Sequence, residues 1–294
     1  MFYGAIEAGG TKVLCGVGLQ TGELVDHVSI PTRGPTETIR DIVTYFRSHP
    51  VSRLGVASFG PLDLDPRHAT YGSITNTPKI AWRGVNFLQS LKNALQLTVF
   101  IDTDVNAAIL AEYAWGAAAH LTTALYVTIG TGIGGGVLVD RRPVHGLMHP
   151  EMGHIGIRKD SSDAFPGICA THVDCLEGLA SGPAIAARWQ VSSQDLPSDH
   201  PAWALEANYL AQAIATYIYV LSPQRIILGG GVMQQTALLP AIRRAVASNL
   251  NGYIARRELL TEEIDHYIVP PQLGQLAGLR GGLWLALPSM DMEP

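Results

Sequence analysis

Short apolar runs alternate with longer amphipathic segments along the whole chain. Apolar runs that are bounded by glycine, proline or polar clusters are typical of buried strands. They predict strands at residues 3–8, 13–19, 54–59, 99–101, 124–129, 137–139 and 225–228. Apolar residues at helical spacing predict helices at residues 35–49, 86–95, 104–115, 202–221, 238–249 and 276–287, and one that follows the turn at 180–183 and ends near 190. This alternation indicates an α/β fold.

Two polar residues stand where helices are expected to begin. Thr36 is the expected N-cap of the first helix, because its hydroxyl can accept a backbone N–H. Asp104 follows a buried strand and has two interpretations: an N-cap, or a general base in the cleft where α/β folds bind ligands. The positive end of the helix dipole would favour its ionised form.

Three predicted strands end in glycine-rich turns. The first turn, Gly9-Gly10, joins two strands into a hairpin whose bare backbone N–H groups suit phosphate. It is not a Walker P-loop, because Gly10 stands where that motif has lysine. A second strand–turn–strand unit surrounds residues 130–136, and we interpret the two units as an internal repeat, one in each of two domains. The third turn is residues 229–231.

The second turn also matches the G-x-G-x-x-G pattern of dinucleotide-binding dehydrogenases, through Gly130, Gly132 and Gly135. That motif requires a helix directly after the turn, whereas the apolar run 137–139 predicts a strand. A dehydrogenase therefore remains a weaker alternative.

Composition narrows the class of protein. The formal net charge is −5 and there is no run of Lys or Arg, so we expect no nucleic-acid partner. The apolar helix at 202–221 is interrupted by Glu206, Asn208 and Gln212, which favours a buried helix over a membrane span. The chain has three cysteines and no basic, signal-like start, and we expect a cytoplasmic location.

Residues 149–177 contain a candidate metal site. His154 precedes a Cys-x-x-His-x-x-Cys pattern formed by Cys169, His172 and Cys175. Two thiolates and two imidazoles are suitable ligands for tetrahedral Zn²⁺, and four protein ligands indicate a structural role. The alternative is a loop with two buried cysteines and unrelated histidines.

These features together suggest a kinase without a Walker motif. The glycine turns could hold a nucleotide between two domains, while Asp104 deprotonates an acceptor hydroxyl. Glu151 and Glu177, which flank the metal segment, could bind other hydroxyls. Positioning and phosphate electrostatics supply most of the catalysis in such enzymes.

The motifs resemble those of the ROK sugar kinases, and most closely their bacterial zinc-containing fructokinase branch, over about residues 4–285. The motifs that carry the resemblance are Glu7-Ala-Gly-Gly-Thr-Lys12, Asp104-Val-Asn-Ala-Ala108, Ile129-Gly-Thr-Gly-Ile-Gly134, Glu151-Met-Gly-His154, Cys169-x-x-His172-x-x-Cys175-Leu-Glu177 and Gly229-Gly-Gly-Val-Met233.

The resemblance implies an actin-like, ribonuclease-H-like ATPase fold with two α/β domains around a cleft. The first domain would be residues 1–116 and the second, larger one residues 117–274 with the zinc segment. A C-terminal helix at about 275–294 would pack back on the first domain.

The resemblance also assigns roles to residues. Asp104 would be the catalytic base. The positions that match sugar-binding ones are Gly60, Glu151, His154 and Glu177, with His154 also a zinc ligand beside Cys169, His172 and Cys175. The positions that match nucleotide-binding ones are Thr11, Lys12, Thr131, Pro183, Gly230, Gly231, Val232, Met233 and Gln234. Mg²⁺ would accompany ATP, and the protein would be a homodimer.

Three positions depart from the family pattern. Glu7 stands where many members have Asp, and its longer side chain could still reach Mg²⁺ through water. His172 replaces one cysteine of the usual zinc set, which stays within the ligand range of zinc. Thr103 stands where glucose-specific members often have Asn, which favours fructose over glucose.

The leading prediction is therefore ATP-dependent phosphorylation of D-fructose to fructose 6-phosphate. A mannose or glucose kinase of the same family is the first alternative, and a non-catalytic sugar-responsive binding protein is the second. Family repressors carry an N-terminal helix-turn-helix, whereas this chain begins two residues before its first strand, so we expect no DNA binding.

Overall fold

The computed structural model describes residues 1–288, and within them the strands form two five-stranded sheets. Sheet 1 consists of β1 Tyr3–Ala8, β2 Lys12–Gly18, β3 Leu24–Pro31, β4 Arg53–Ser58 and β5 Thr98–Thr103. Sheet 2 consists of β6 Ala124–Ile129, β7 Ile133–Val139, β8 Arg142–Pro143, β9 Ile226–Gly229 and β10 Ile268–Val269. All seven strands predicted from the apolar runs are present; the predicted bounds 3–8 and 124–129 match, and the other five strands have shifted ends.

The two sheets share one topology. Their strand orders are β3-β2-β1-β4-β5 and β8-β7-β6-β9-β10. In each sheet the first strand pairs antiparallel with the second and parallel with the fourth. The internal repeat that was predicted from the two glycine hairpins is confirmed by this arrangement. Both hairpins therefore occupy the same position in their sheets.

Several elements were missed because their sequences lack a clear apolar period. Strand β3 is at the edge of sheet 1, and Val25 and Val28 are exposed on it. The burial of such a strand alternates poorly, so its sequence gives little signal. Strands β8 and β10 and the short helices Leu176–Ala180, Arg257–Leu260 and Ile264–Tyr267 were missed because two to five residues are too few to show an apolar period.

The helices cover both sheets. Their bounds are α1 Pro35–Ser48, α2 Phe87–Leu95, α3 Asp104–Trp115, α4 Leu176–Ala180, α5 Gly182–Trp189, α6 Ala202–Leu221, α7 Leu238–Leu250, α8 Arg257–Leu260, α9 Ile264–Tyr267 and α10 Ala277–Leu285. The predicted N-cap at Thr36 is wrong: Gly34 caps α1, because Pro35 fixes the first helical turn. None of the helices in residues 1–288 is long and apolar enough to cross a membrane.

Helix α10 packs against α3 and against strands β1 and β4. The approach is so close that a Cβ on Gly281 would overlap the carbonyl of Ala107, and a Cβ on Gly55 would overlap that of Gly282. Glycines therefore allow the last helix to lie directly on sheet 1. The helix predicted to reach 294 ends at Leu285, and residues 289–294 lie outside the described part of the chain.

Candidate active site and metal centre

The glycine turns of the two sheets face each other. Gly10 is in the β1–β2 turn, and Thr131 is in the β6–β7 turn. If Gly10 had a Cβ, that atom would lie 3.8 Å from the methyl carbon of Thr131. The same point is 3.4 Å from Cε of Lys79. Thr11 and Lys12 are exposed beside Gly10. The repeated topology thus brings two phosphate-suited turns to opposite walls of one cleft.

The third glycine turn and the start of α5 join the β6–β7 turn. The Gly182 N–H donates to the Gly130 carbonyl at 2.8 Å, which places Pro183 beside this turn. Gly230 has φ +95°, and a Cβ on it would overlap the Ile129 carbonyl, so only glycine fits easily. A single 3₁₀ turn, Val232–Gln234, follows directly. The predicted nucleotide residues of the second half therefore lie close together, but the side chain of Val232 is buried in the core and leaves only its backbone for a nucleotide.

Asp104 is the first residue of α3 and lies at the end of β5. The predicted alternative of Asp104 as N-cap is wrong, because the hydroxyl of Thr103 accepts the Asn106 N–H at 3.1 Å and caps the helix. Within residues 1–288 the Asp104 carboxylate accepts only backbone N–H groups, from Val105 at 3.0 Å and from Asp104 itself. It is therefore free to face a ligand.

The electrostatics of Asp104 differ from the expectation based on the helix dipole. Burial raises its pKa from the ordinary 3.8 to about 6, although the Val105 N–H acts in the opposite direction. Desolvation outweighs the helix terminus. A carboxylate with this pKa is still ionised at neutral pH and is a stronger base than an exposed aspartate.

Glu7 lies next to Asp104 at the end of β1. Burial, followed by the negative charge of Asp104, raises the pKa of Glu7 to about 7, whereas Lys12 lowers it. Its Oε2 is buried and accepts no hydrogen bond within residues 1–288. A buried carboxylate oxygen without a partner favours either a proton or a hard cation, which is compatible with the predicted contact between Glu7 and Mg²⁺.

The glutamates on the other side of the cleft differ from each other. Burial, then the charges of Glu177 and Asp104, raise the pKa of Glu151 to about 7. Both carboxylate oxygens of Glu177 already have contacts within the protein. Its Oε2 accepts the Ile133 N–H at 2.9 Å, and its Oε1 lies 4.0 Å from Nε2 of His154. Glu151 is therefore the more available of the two for a sugar hydroxyl.

The four predicted zinc ligands form one cluster. Their ligand atoms, one each from His154, Cys169, His172 and Cys175, all lie within 4.8 Å of one another. Nδ1 of His154 is 3.7 Å from Sγ of Cys169 and 3.5 Å from Sγ of Cys175. Tetrahedral zinc with ordinary bond lengths separates sulfur and nitrogen ligands by about 3.6 Å. The donor set and its spacing therefore fit Zn²⁺.

Local backbone structure brings these ligands together. Cys169 and Val173 exchange two backbone hydrogen bonds, at 3.1 and 3.0 Å, and Val173 has φ +62°. This tight turn points Cys169 and His172 to the same side. Cys175 is the buried N-cap of α4. A short turn and a helix start thus supply three of the four ligands.

His154 connects the metal centre to the cleft. Its Nδ1 faces the cysteines, while its Nε2 faces Glu177. A metal-bound histidine commonly donates its other N–H to a carboxylate, which fixes the orientation of both groups. Glu177 in turn holds the backbone of the β6–β7 turn at Ile133. A metal at this centre would therefore stabilise the wall that carries Thr131.

Two histidines of the segment 144–151 were not predicted to matter. His149 is buried, and its Nε2 accepts the Leu62 N–H at 3.0 Å, while its Nδ1 lies 3.6 Å from Glu151. Gly60 is next to this contact, since a Cβ on it would lie 3.5 Å from the His149 ring. His145 pairs with the buried Asp102 at 3.1 Å. The position of His149 two residues before Glu151 was the available signal.

The fold places the protein in a known class. The two repeated sheets around a cleft are the actin-like ATPase fold, shared with ROK sugar kinases of known structure. The crystal structure of a ROK hexokinase from Thermus thermophilus matches with a TM-score of 0.74 and 27% identity, covering 100% of both chains.

The family follows from the sequence comparison. The ROK family model matches residues 3–288, and the chain belongs to this family. It is 42% identical to a fructokinase of Pediococcus pentosaceus, over 97% of this chain and 98% of that protein. It is also 42% identical to a fructokinase of Zymomonas mobilis, over 97% of this chain and 96% of that protein.

Proposed function

We propose that this protein transfers the γ-phosphoryl group of ATP to D-fructose and forms fructose 6-phosphate. The observation that carries the proposal is Asp104, an available carboxylate that is ionised at neutral pH and lies near both Glu7 and Glu151. The relatives that are named fructokinases and match over nearly their whole length support fructose as the acceptor.

The proposed reaction uses both walls of the cleft. The turns around Gly10, Thr131 and Gly230 hold the phosphates through backbone N–H groups. The sugar oxygen attacks the γ-phosphorus, the bond to the ADP oxygen breaks, and Asp104 accepts the hydroxyl proton. When bound with ATP, Mg²⁺ neutralises phosphate charge, and Glu7 would hold it directly or through water.

The sugar would lie between Gly60 on one wall and Glu151 and His154 on the other. Glu177 acts through its contacts with His154 and Ile133, and bound Zn²⁺ would hold His154 in place. Thr103 supports fructose over glucose in a further way. Its hydroxyl already caps α3, so it does not replace the asparagine amide that glucose-specific members use.

We also propose a domain organisation, an oligomeric state and a cellular location. Sheet 1 falls within residues 1–116 and sheet 2 within residues 117–274, which supports two domains with these boundaries. We infer a homodimer from family membership, and light scattering of the purified protein tests it. A requirement for ATP supports a cytoplasmic location.

A panel of hexoses tests the function. Purified protein, ATP and Mg²⁺ are incubated with D-fructose, D-mannose or D-glucose, and ADP release is measured. We expect the highest kcat/KM with fructose. Higher values with mannose or glucose would move the assignment to those sugars. No ADP with any hexose, together with sugar-dependent changes in melting temperature, would indicate a binding protein without turnover.

A further inference from the structure

A lysine outside the recognised motifs lies in the phosphate region of the cleft. Cε of Lys79 is 3.4 Å from the point where a Cβ on Gly10 would stand, and the Thr131 methyl group is 3.8 Å from that point. The ammonium nitrogen is one bond beyond Cε. Lys79 therefore brings a positive charge to the place where the turns of the two sheets meet.

Lys79 has no counter-charge among the residues that the structure describes. Within residues 1–288 its ammonium group makes neither an ion pair nor a hydrogen bond, although many acidic side chains of this chain are paired. Lys12 lies at the end of the same turn, so two of the four lysines in the chain are near Gly10. A half-buried cation beside bare backbone N–H groups is complementary to an anion such as a phosphoryl group.

Hydrogen bonds hold the backbone of residues 77–83, the segment that carries Lys79, in place. Trp82 is buried, its indole N–H donates to the Arg33 carbonyl at 2.9 Å, and its backbone N–H donates to the Lys79 carbonyl at 2.8 Å. Nε of Arg83 donates to the Thr77 carbonyl at 2.6 Å. These contacts fix the backbone of Lys79, so its charge needs little reorganisation to meet a ligand.

The core beneath this segment adds rigidity. The Trp82 ring packs edge-on against Phe59 and Phe87, with ring centroids 5.6 and 5.5 Å away. Phe59 directly follows β4, so the Lys79 segment packs on the sheet that contains Glu7 and whose strand β5 leads directly into Asp104. The base and the cation are therefore held by one rigid unit.

We propose that Lys79 is a catalytic residue that binds the phosphoryl group while it moves from ATP to the sugar. This inference rests on the proposed function. The oxygen–phosphorus bond to the sugar forms, the bond to ADP breaks, and the proton of the hydroxyl goes to Asp104. The Lys79 ammonium group neutralises charge on the equatorial phosphoryl oxygens.

Three variants test the role in turnover: Lys79→Ala, Lys79→Arg, and Lys92→Ala as a matched control on α2. We expect Lys79→Ala to lower kcat by about 100-fold, with little change in KM for fructose, because one preorganised charge is lost at the transition state. Lys79→Arg should keep part of the rate, and added ethylamine should partly restore Lys79→Ala. Wild-type kcat in Lys79→Ala would overturn the proposal.

Equilibrium binding tests the same role without turnover. Calorimetry compares ADP with a non-hydrolysable ATP analogue that carries the γ-phosphate, in the presence of Mg²⁺. The wild type should bind the analogue more tightly relative to ADP than Lys79→Ala does, by about tenfold. The same ratio in both proteins would overturn the assignment of Lys79 to the phosphoryl group.

This pair of measurements separates the inference from the proposed function. If the wild type shows no sugar-dependent ADP release, the proposed function fails, while the binding ratio still reports on Lys79. If the wild type turns over and Lys79→Ala behaves like Lys92→Ala in both measurements, only the inference fails. Unchanged melting temperatures in the three variants would exclude misfolding as the cause of a loss.

Discussion

The candidate metal centre and the proposed catalytic cleft are built in different ways. The centre uses four ligands from one short segment, residues 154–175, and a single backbone turn joins two of them. The cleft combines the ends of β1, β5 and β6, the turn after β9 and the segment with Lys79, which are far apart in the chain. We expect disruption of the first to have modest effects on the chemistry, whereas the second contains the proposed base, Asp104.

The largest expected effect comes from Asp104→Asn. The change removes the proton acceptor with almost no change in volume, so kcat should fall by about 10³- to 10⁴-fold while the fold is retained. Steady-state ADP release with fructose measures the loss. Zinc content and melting temperature are the controls. Near-normal turnover would show that Asp104 is not the base.

Cys175→Ser should separate positioning from chemistry. It removes one buried thiolate ligand, so the purified protein should lose its zinc and melt at a lower temperature. KM for fructose should rise by about tenfold, because His154 and Glu177 lose their support, and kcat should fall much less than in Asp104→Asn. Cys15→Ala is the matched control, because Cys15 is the cysteine that lies outside the cluster.

Two measurements would contradict a structural role for the cluster that includes Cys175. Elemental analysis that finds no zinc in the wild type, together with an unchanged melting temperature after chelation, would exclude a structural metal. Equal loss of zinc in Cys15→Ala would show that the effect is not specific to the cluster.

His149 links the two walls, and its two nitrogens can be tested separately. His149→Gln keeps an acceptor for the Leu62 N–H, and His149→Asn keeps a donor toward Glu151. We expect His149→Ala to raise KM for fructose by about tenfold with KM for ATP unchanged, and each amide variant to recover part of the loss. A parallel rise in both KM values would indicate general destabilisation.

The smallest expected effect is the pH dependence of the wild type. Asp104 must be deprotonated to act, and its pKa is raised to about 6, so kcat/KM should be level near pH 7.5 and fall as the pH drops through 6. Glu7 and Glu151, with pKa values raised to about 7, interact with Asp104. The pH profile of kcat/KM therefore reflects the three carboxylates together and not Asp104 alone. A profile that stays level down to pH 4.5 would contradict a buried base.

The two regions also differ in how much of each could be predicted from the sequence. The zinc ligands are close in the chain, so their spacing alone predicts a site. Asp104 was placed correctly because a strand end followed by a helix is a local pattern. The repeated topology was expected because both hairpins carry glycine turns.

Contacts between distant segments could not be predicted in this way. Lys79, Gly10 and Thr131 meet only after both sheets have formed, and no local pattern specifies their approach. The same holds for His149 and Leu62, which are 87 positions apart in the chain. The pKa of Asp104 also depended on burial, which a helix-dipole argument from sequence does not include.

The most direct test of the account is to identify the product that the wild-type protein forms from ATP and D-fructose. Phosphorus-31 NMR that correlates the phosphorus with the sugar protons shows both whether a sugar phosphate forms and which carbon carries it. We predict one fructose 6-phosphate for each ADP released. ADP that accumulates without a sugar phosphate, or no reaction with fructose at all, would contradict the account.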